Sequence, residues 1–395
     1  MNDKRKKWKQ SEIREKIASY REASLKYYIE GKALVEMSPG QIAFSLLSPP
    51  LGSAVAKRRV RWISKNIVSP ESAKGAGAHS GIQNRTPHFL TMAVTYDCQC
   101  NCLHCSAHDY KMKVASSGTA MNFEELRGAL EQAVVLGTTG IVLTGGEPLI
   151  YPEIYKLIES VDKKKSICTI FTNGEYLNAG TVSSLKKAGT HGVFVSLDDS
   201  DPESHNKHRG RAGLFEKALE GIKLCQEAGI LTGISTYVTR EKINNGELHK
   251  MMELAKRLKV LEVFIFDVIP AGKIKKDEGC ILTKNEISMI TELRNSYNEK
   301  ADYPRILHQT MFASLAYPCV AEGCPAAVVQ LHIRGNGDVS PCDFTPYSFG
   351  NLRTEPLKDI WQKMISHPLY STHSPSCRLG NPGFREKLIE HGLIS

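Results

Sequence analysis

Tyr96-Asp97-Cys98-Gln99-Cys100-Asn101-Cys102-Leu103-His104-Cys105 gathers four of the chain's eleven cysteines into eight positions. Three of them, Cys98, Cys102 and Cys105, are spaced C-x3-C-x2-C, and the apolar run from Phe89 to Tyr96 that leads into them reads as a strand. A thiolate is both a soft-metal ligand and the reactive form of cysteine, so thiols crowded this closely imply a bound metal. Three thiolates in so short a loop can reach three corners of an iron–sulfur cluster and leave a fourth iron open. Structural zinc is the rival. It takes four ligands, commonly from paired knuckles, and here a second pair has to come from far along the chain. Cys100, a single residue away from Cys102, does not easily face the same cube.

Outward from this loop the pattern is regular. The sequence predicts a helix from Asn122 to Leu136 and a strand from Gly140 to Thr144 that ends in Gly145-Gly146-Glu147-Pro148. Helix Ile154 to Lys163, strand Ser166 to Thr172, helix Val182 to Ala188 and strand His191 to Leu197 follow. Helix Phe215 to Ala228, strand Thr232 to Val238, helix Asn245 to Leu258 and strand Leu261 to Val268 complete the series. Six strands with intervening helices imply parallel βα units, and their polar, glycine-rich segments sit at the strand C-terminal ends, where α/β barrels carry their sites. Beyond Thr283 the alternation stops. A helix from Lys284 to Lys300 leads to a tail with Cys319, Cys324, Cys342 and Cys377. There Gln330 to Arg334 and Asp338 to Ser340 read as a hairpin around Gly335-Asn336-Gly337, with helices at Leu357 to Ile365 and Gly383 to Glu390.

Upstream, Ser11 to Glu36 is helix-permissive and Ala54 to Val68 reads as a second, basic helix, joined to the rest by the flexible Lys74 to Gly81. Residues 1–85 hold 17 Lys/Arg against 7 Asp/Glu, so the net charge of +9 belongs to this segment and the remainder is near neutral. Its first reading is a solvated helical cap; its second is a docking surface for an acidic partner or anionic lipid headgroups. No run of about 18 apolar residues occurs and no apolar signal region opens the chain, which points to a soluble cytoplasmic protein, at most peripheral at a membrane surface. In a reducing compartment the cysteines are not a disulfide framework. The division expected is 1–85 basic helical segment and linker, 86–283 barrel, 284–395 linking helix and extension.

The cysteine triplet, followed in order by Leu143-Thr144-Gly145-Gly146-Glu147-Pro148-Leu149, Thr172-Asn173-Gly174, Ser196-Leu197-Asp198, His205 and Arg209-Gly210, resembles the radical SAM superfamily, specifically its MoaA/PqqE/SkfB-like branch. The resemblance covers residues 88 to about 380. It implies a partial (βα)6 barrel in which Cys98, Cys102 and Cys105 bind a [4Fe-4S] cluster whose open iron S-adenosylmethionine chelates. It further implies that Gly145, Gly146 and Glu147 meet the methionine amino group, and that Ser196, Asp198 and Arg209 contact the ribose or carboxylate. In the tail, Cys324, twelve residues, then Gly337-x4-Cys342 and Gly350-Asn351-Leu352 resemble the opening of the family's SPASM motif. The central cysteine group is missing, as in the shortened twitch form, and Cys319, Cys324, Cys342 and Cys377 supply enough thiolates for one auxiliary [4Fe-4S] cluster.

The activity implied is reductive cleavage of S-adenosylmethionine to a 5′-deoxyadenosyl radical that abstracts a substrate hydrogen. The electron would come from a reductant such as flavodoxin or ferredoxin. The substrate expected is a peptide or protein; a tetrapyrrole, sugar or lipid is the alternative, and residues 1–85 show no winged-helix leader-binding module. A zinc- or cluster-stabilised nucleic-acid-binding protein is the non-enzyme reading; the basic charge lies outside the barrel and aromatic stacking platforms are not evident, so little supports it. Cys168 and Cys225 fall inside elements and read as core. Cys100 and Cys280 read as surface or structural thiols, with a hydrogen-atom donor as the sharper alternative. His104 and His108 read as packing or hydrogen-bonding residues.

Overall fold

The computed structural model describes residues 34–66, 85–311 and 322–393. The helix expected over Ser11 to Glu36 falls outside these residues up to position 33, and at its end the chain is extended. There β1 (Val35–Ser38) and β2 (Gln41–Ala43) form an antiparallel hairpin. The linker 74–81 also lies outside the described residues.

Phe-Leu-Thr-Met-Ala-Val-Thr, apolar almost throughout, is the pattern of a strand covered on both faces. It forms β3 (Phe89–Thr95), buried along six of its seven residues. It is followed by β4 (Gly140–Gly145), β5 (Ile167–Thr172), β6 (Gly192–Ser196), β7 (Leu231–Val238) and β8 (Glu262–Asp267), each within two residues of its predicted limits. All five neighbouring pairs are parallel. The sheet then exceeds the six strands expected. β9 (Arg305–His308) adds parallel to β8, and β10 (Gln330–Ile333) adds parallel to β3, with Gln330 opposite Phe89. β11 (Asp338–Ser340) and β12 (Gly350–Asn351) continue antiparallel, giving the order β12-β11-β10-β3-β4-β5-β6-β7-β8-β9. The tail hairpin is therefore also an edge of the main sheet. The architecture is a mixed α/β partial barrel with a C-terminal antiparallel extension.

Helix limits follow local chemistry. Asn122 and Glu125 form a capping box at the start of Phe123–Leu136, and Gly137 closes it in the left-handed region. The helix expected to reach Lys163 ends at Ser160, because the Lys163 ammonium turns back onto the carbonyls of Ile158 and Val161. The helix expected from Val182 starts at Ala179, capped by Asn178. Helices His108–Ser117 and Pro202–Arg209 are additional.

One face of the sheet packs Leu90, Met92, Ile141 and Leu143 against Leu126, Leu157 and Leu185 of the helices. The other gathers Phe89, Val142, Phe194 and Phe264 around Phe44, Leu46 and Leu47 of the N-terminal segment. That insertion is tied by Leu46 N–H to Glu262 Oε1 at 2.7 Å and by the Thr169 hydroxyl to the Leu46 carbonyl at 2.8 Å. The basic helix Ala54–Asn66 turns two arginines inward: Arg58 donates to the carbonyls of Val134, Thr138 and Lys165, and Arg59 to the Thr139 hydroxyl. Those two guanidiniums join the helix to the main domain.

Burial pushes the Glu262 carboxyl up to about 7, against the Leu46 N–H, Arg305 and the Ser45 hydroxyl. A carboxyl whose folded pKa is raised favours folding below the unfolded value and loses that contribution as pH rises through the folded one. Wild-type thermal stability is therefore expected to fall relative to Glu262→Gln between about pH 4.5 and about pH 7. Parallel pH profiles of the two melting temperatures would refute this.

Candidate active site

At the C-terminal end of β3 the cysteine loop is gripped by backbone from the end of β4, the C-terminus of helix Pro202–Arg209 and the segment after β8. Gly146 N–H donates to the Thr95 carbonyl at 2.7 Å and Glu147 N–H to that of Asp97 at 2.8 Å. Asn101 N–H and Leu103 N–H donate to the carbonyls of Arg209 and His208 at 3.0 and 2.9 Å, and Lys273 N–H to that of Cys105 at 3.0 Å. A glycine marks each approach. A Cβ on Gly146 would stand 2.3 Å from the Asp97 oxygen, on Gly210 2.9 Å from that of Asn101, and on Gly272 2.1 Å from that of Cys105. Two ammonium groups complete the grip, Lys111 on the Cys98 carbonyl at 3.2 Å and Lys273 on the Cys102 carbonyl at 2.9 Å. Lys273 sits in Pro270-Ala271-Gly272-Lys273, the turn that follows β8.

Cys98, Cys100, Cys102 and Cys105 all line one cavity of ≈ 300 Å³. The hydrogen bond from the Cys100 thiol draws the Cys102 thiol down to about 6, with burial opposing and Arg209 assisting. The same thiol lowers Cys98, while burial raises Cys105. Side-chain nitrogens stand near two sulfurs, Arg209 Nη1 3.9 Å from Cys102 and Asn173 Nδ2 4.0 Å from Cys98. Cys100 is buried beside the other thiols, so of the surface or structural placements expected for it the structure has the structural one. Among the described residues no three His, Cys, Asp or Glu side chains already close on a single ion. Three thiols spread around one cavity and held by fixed backbone, two of them biased toward thiolate, fit a multinuclear cluster better than one zinc.

The other expected contacts are brought to the same place with different tasks. Gly145 and Gly146 line the cavity, yet the space a side chain would fill is occupied by Thr95 to Asp97. Glu147 is fully buried and absent from the lining. Its carboxylate accepts from the Thr172 hydroxyl at 2.7 Å and from the backbone N–H groups of Asn173 and Leu149 at 2.8 and 3.1 Å. These three donors tie the carboxylate to the β5 strand end and to the turn that follows β4. Ser196 lines the cavity beside Ser235, 3.1 Å away between hydroxyls. Arg209 grips Asp198 through two bonds of 2.6 and 2.7 Å. Burial works to raise the Asp198 carboxyl, but Arg209 and His104 hold it well below the usual range. His104 stacks on Tyr237 at 3.9 Å between ring centroids, and burial pushes it down to about 4.

Sequence reading missed the deeper lining: Phe171 and Phe266 at strand ends, Asp267 at the end of β8, and Gln330, Asp343 and Phe344 from the extension. Adjacency of Asp343 to Cys342 was the available signal. In the tail, burial first and the neighbouring Cys324 second push the Cys342 thiol up to about 12, and burial with Cys324 and Cys342 raises Cys377. Cys319 lies outside the described residues. Cys168 and Cys225 are fully buried core, and Cys280 is half-buried outside the cavity lining.

A family model described as the radical SAM superfamily matches residues 92–255, and one described as an iron-sulfur cluster-binding domain, SPASM, matches residues 324–378. The first contains the cysteine triplet; the second contains Cys324, Cys342 and Cys377. The chain is 25% identical over 292 residues to an AdoMet-dependent heme synthase of Methanosarcina barkeri, covering 70% of this chain and 82% of that protein. It is 31% identical over 220 residues to a GTP 3′,8-cyclase of Clostridium botulinum, covering 55% and 68%. In fold it is similar to Streptococcus suis SuiB bound to S-adenosylmethionine, with TM-score 0.55 and 20% identity over 80% of this chain and 70% of that one.

Proposed function

The chain belongs to the radical SAM superfamily, and from that premise we propose that it abstracts a hydrogen atom from a peptide or protein side chain at the cavity beside Cys98 to Cys105. It is a radical SAM enzyme that works with a [4Fe-4S] cluster and S-adenosylmethionine, and its extension is an iron–sulfur domain that implies an auxiliary cluster. When bound, cluster and S-adenosylmethionine supply the 5′-deoxyadenosyl radical; position and exclusion of water are the protein's part.

On this reading Cys98, Cys102 and Cys105 hold the first cluster, and Cys324, Cys342 and Cys377, with Cys319, hold the second. Lys111 and Lys273 fix the loop carbonyls, so the sulfurs keep their directions when the iron is reduced. Gly145, Gly146, Ser196 and the Asp198–Arg209 pair border the volume for S-adenosylmethionine, and Glu147, behind the two glycines, holds the β5 strand end. Flavodoxin or ferredoxin is the reductant class this chemistry needs. The observation that carries the reading is the single cavity shared by the thiol triplet and residues of the extension. The resemblance to heme synthases favours a second reading, a tetrapyrrole substrate.

Reconstituted protein with reductant and S-adenosylmethionine should yield 5′-deoxyadenosine. Added peptide fractions should raise that yield more than an iron tetrapyrrole does. No 5′-deoxyadenosine would defeat the radical reading; stimulation by the tetrapyrrole alone would select the second.

A further inference from the structure

The cavity is chemically two-ended. Its Lys and Arg side chains are all engaged around the cysteine loop: Lys111 and Lys273 on loop carbonyls, Arg209 on Asp198 and toward Cys102. Its far end is aromatic, where the Phe266 ring meets Phe171 and Phe344 edge-on at 6.1 and 6.0 Å. The same cavity is lined by two carboxylates from different parts of the chain, Asp267 from β8 and Asp343 from the extension, each next in sequence to one of these phenylalanines.

Each carboxylate is fixed by buried donors. Asp267 takes 2.8 Å bonds to its two oxygens from the His308 ring and the Gln309 amide. Asp343 is bonded at 3.0 Å by the Gln330 amide and stands 3.2 Å from the His332 ring, which in turn meets the Thr91 hydroxyl at 2.9 Å. A carboxylate has about four acceptor positions, so Asp267, with two donors, keeps lone pairs that only a further donor can fill, whereas Asp343, also reached by the Thr91 hydroxyl and a backbone N–H, adds chiefly its charge. Aromatic rings lining the same cavity can add cation–π attraction to a positive charge held there.

We propose that the far end of the cavity recognises a positively charged nitrogen, a primary ammonium or guanidinium on an apolar or aromatic body, through Asp267 and Asp343. This rests on the radical SAM reading of the cavity and narrows its substrate. A substrate that presents carboxylates at this end meets two fixed acceptors and no Lys or Arg that is not already engaged. Basic or amine-bearing substrates fit; polycarboxylate ones do not.

Two probes of equal aromatic size and opposite charge, phenethylamine and 3-phenylpropionate, test this on the reconstituted holoenzyme with S-adenosylmethionine, by anaerobic equilibrium dialysis without reductant. Phenethylamine should bind about tenfold or more tighter, and Asp343→Asn and Asp267→Asn should each weaken it severalfold while iron content stays constant. Equal or tighter binding of the carboxylate, or no binding of the amine, overturns the proposal, and so does undiminished amine binding in both variants. The wild-type comparison needs no variant, so loss of extension iron in Asp343→Asn leaves the test decided. Because no turnover is involved, failure here is separate from failure to form 5′-deoxyadenosine.

Discussion

Cys98→Ala is expected to lower 5′-deoxyadenosine formation by a factor of about 10³ or more, since groups that act as one unit fail together. It should also remove about four iron atoms per chain, the content of one [4Fe-4S] cluster. The neighbouring Cys100→Ala is expected to keep both. Its thiol stands between those of Cys98 and Cys102 and bonds to each, so the structure alone makes it a competitor for ligation. Two facts decide against it. The Cys98 and Cys102 thiols are drawn toward thiolate by that bond, whereas the shared bonds and burial drive Cys100 strongly the other way. Side-chain nitrogens are directed at the sulfurs of Cys98 and Cys102. Iron analysis with product quantification checks the pair; iron lost from Cys100→Ala and kept by Cys98→Ala would mean the ligand set is wrong.

Much of this was legible in the sequence because the signals are local. Strands β3 to β8 announce themselves as short apolar runs, and all but β7, which ends at Val238, end at glycine or a polar residue where the chain turns toward the site. β9 and the parallel pairing of β10 were hidden for a different reason. Arg305–His308 is four residues long, and its pairing with Glu262–Ile265 is a tertiary fact with no local trace. Helix Pro202–Arg209 carries no apolar stripe at all; its signal was Asp201 as N-cap followed by proline at the first turn. In the site, the sequence indicates that Glu147 carries a carboxylate but not where it points. Its direction is set by Thr172 and Asn173, 25 and 26 residues away. The deeper carboxylates stayed invisible because Asp267 and Asp343 belong to different strand ends and meet only once the extension joins the sheet at β3.

Gly145→Ala and Gly146→Ala are expected to destabilise the protein by about 3 kcal/mol or more each, at the upper end of single substitutions. The same change at Gly128 should instead stabilise by about 0.5–1 kcal/mol, because a helix-interior glycine gives way to a better helix former. Gly128 lies in helix Phe123–Leu136 with nothing within 4 Å of an added Cβ. At Gly145 the backbone is in the left-handed region, φ 133°, and the Cβ would stand 2.0 Å from the Thr95 oxygen. At Gly146 the obstacles are the carbonyl oxygens of Asp97 and Tyr96, at 2.3 and 2.6 Å. No flexible side chain can swing aside; relief requires moving the backbone that carries Cys98. Both variants should therefore lose first-cluster iron as well as stability, whereas Gly128→Ala should lose neither, as urea unfolding and iron analysis would show. A Gly146→Ala protein that is stable and fully loaded would mean the glycine pair serves only to admit S-adenosylmethionine. Loss of iron alongside stability would mean that it sets the position of the thiols before any ligand arrives.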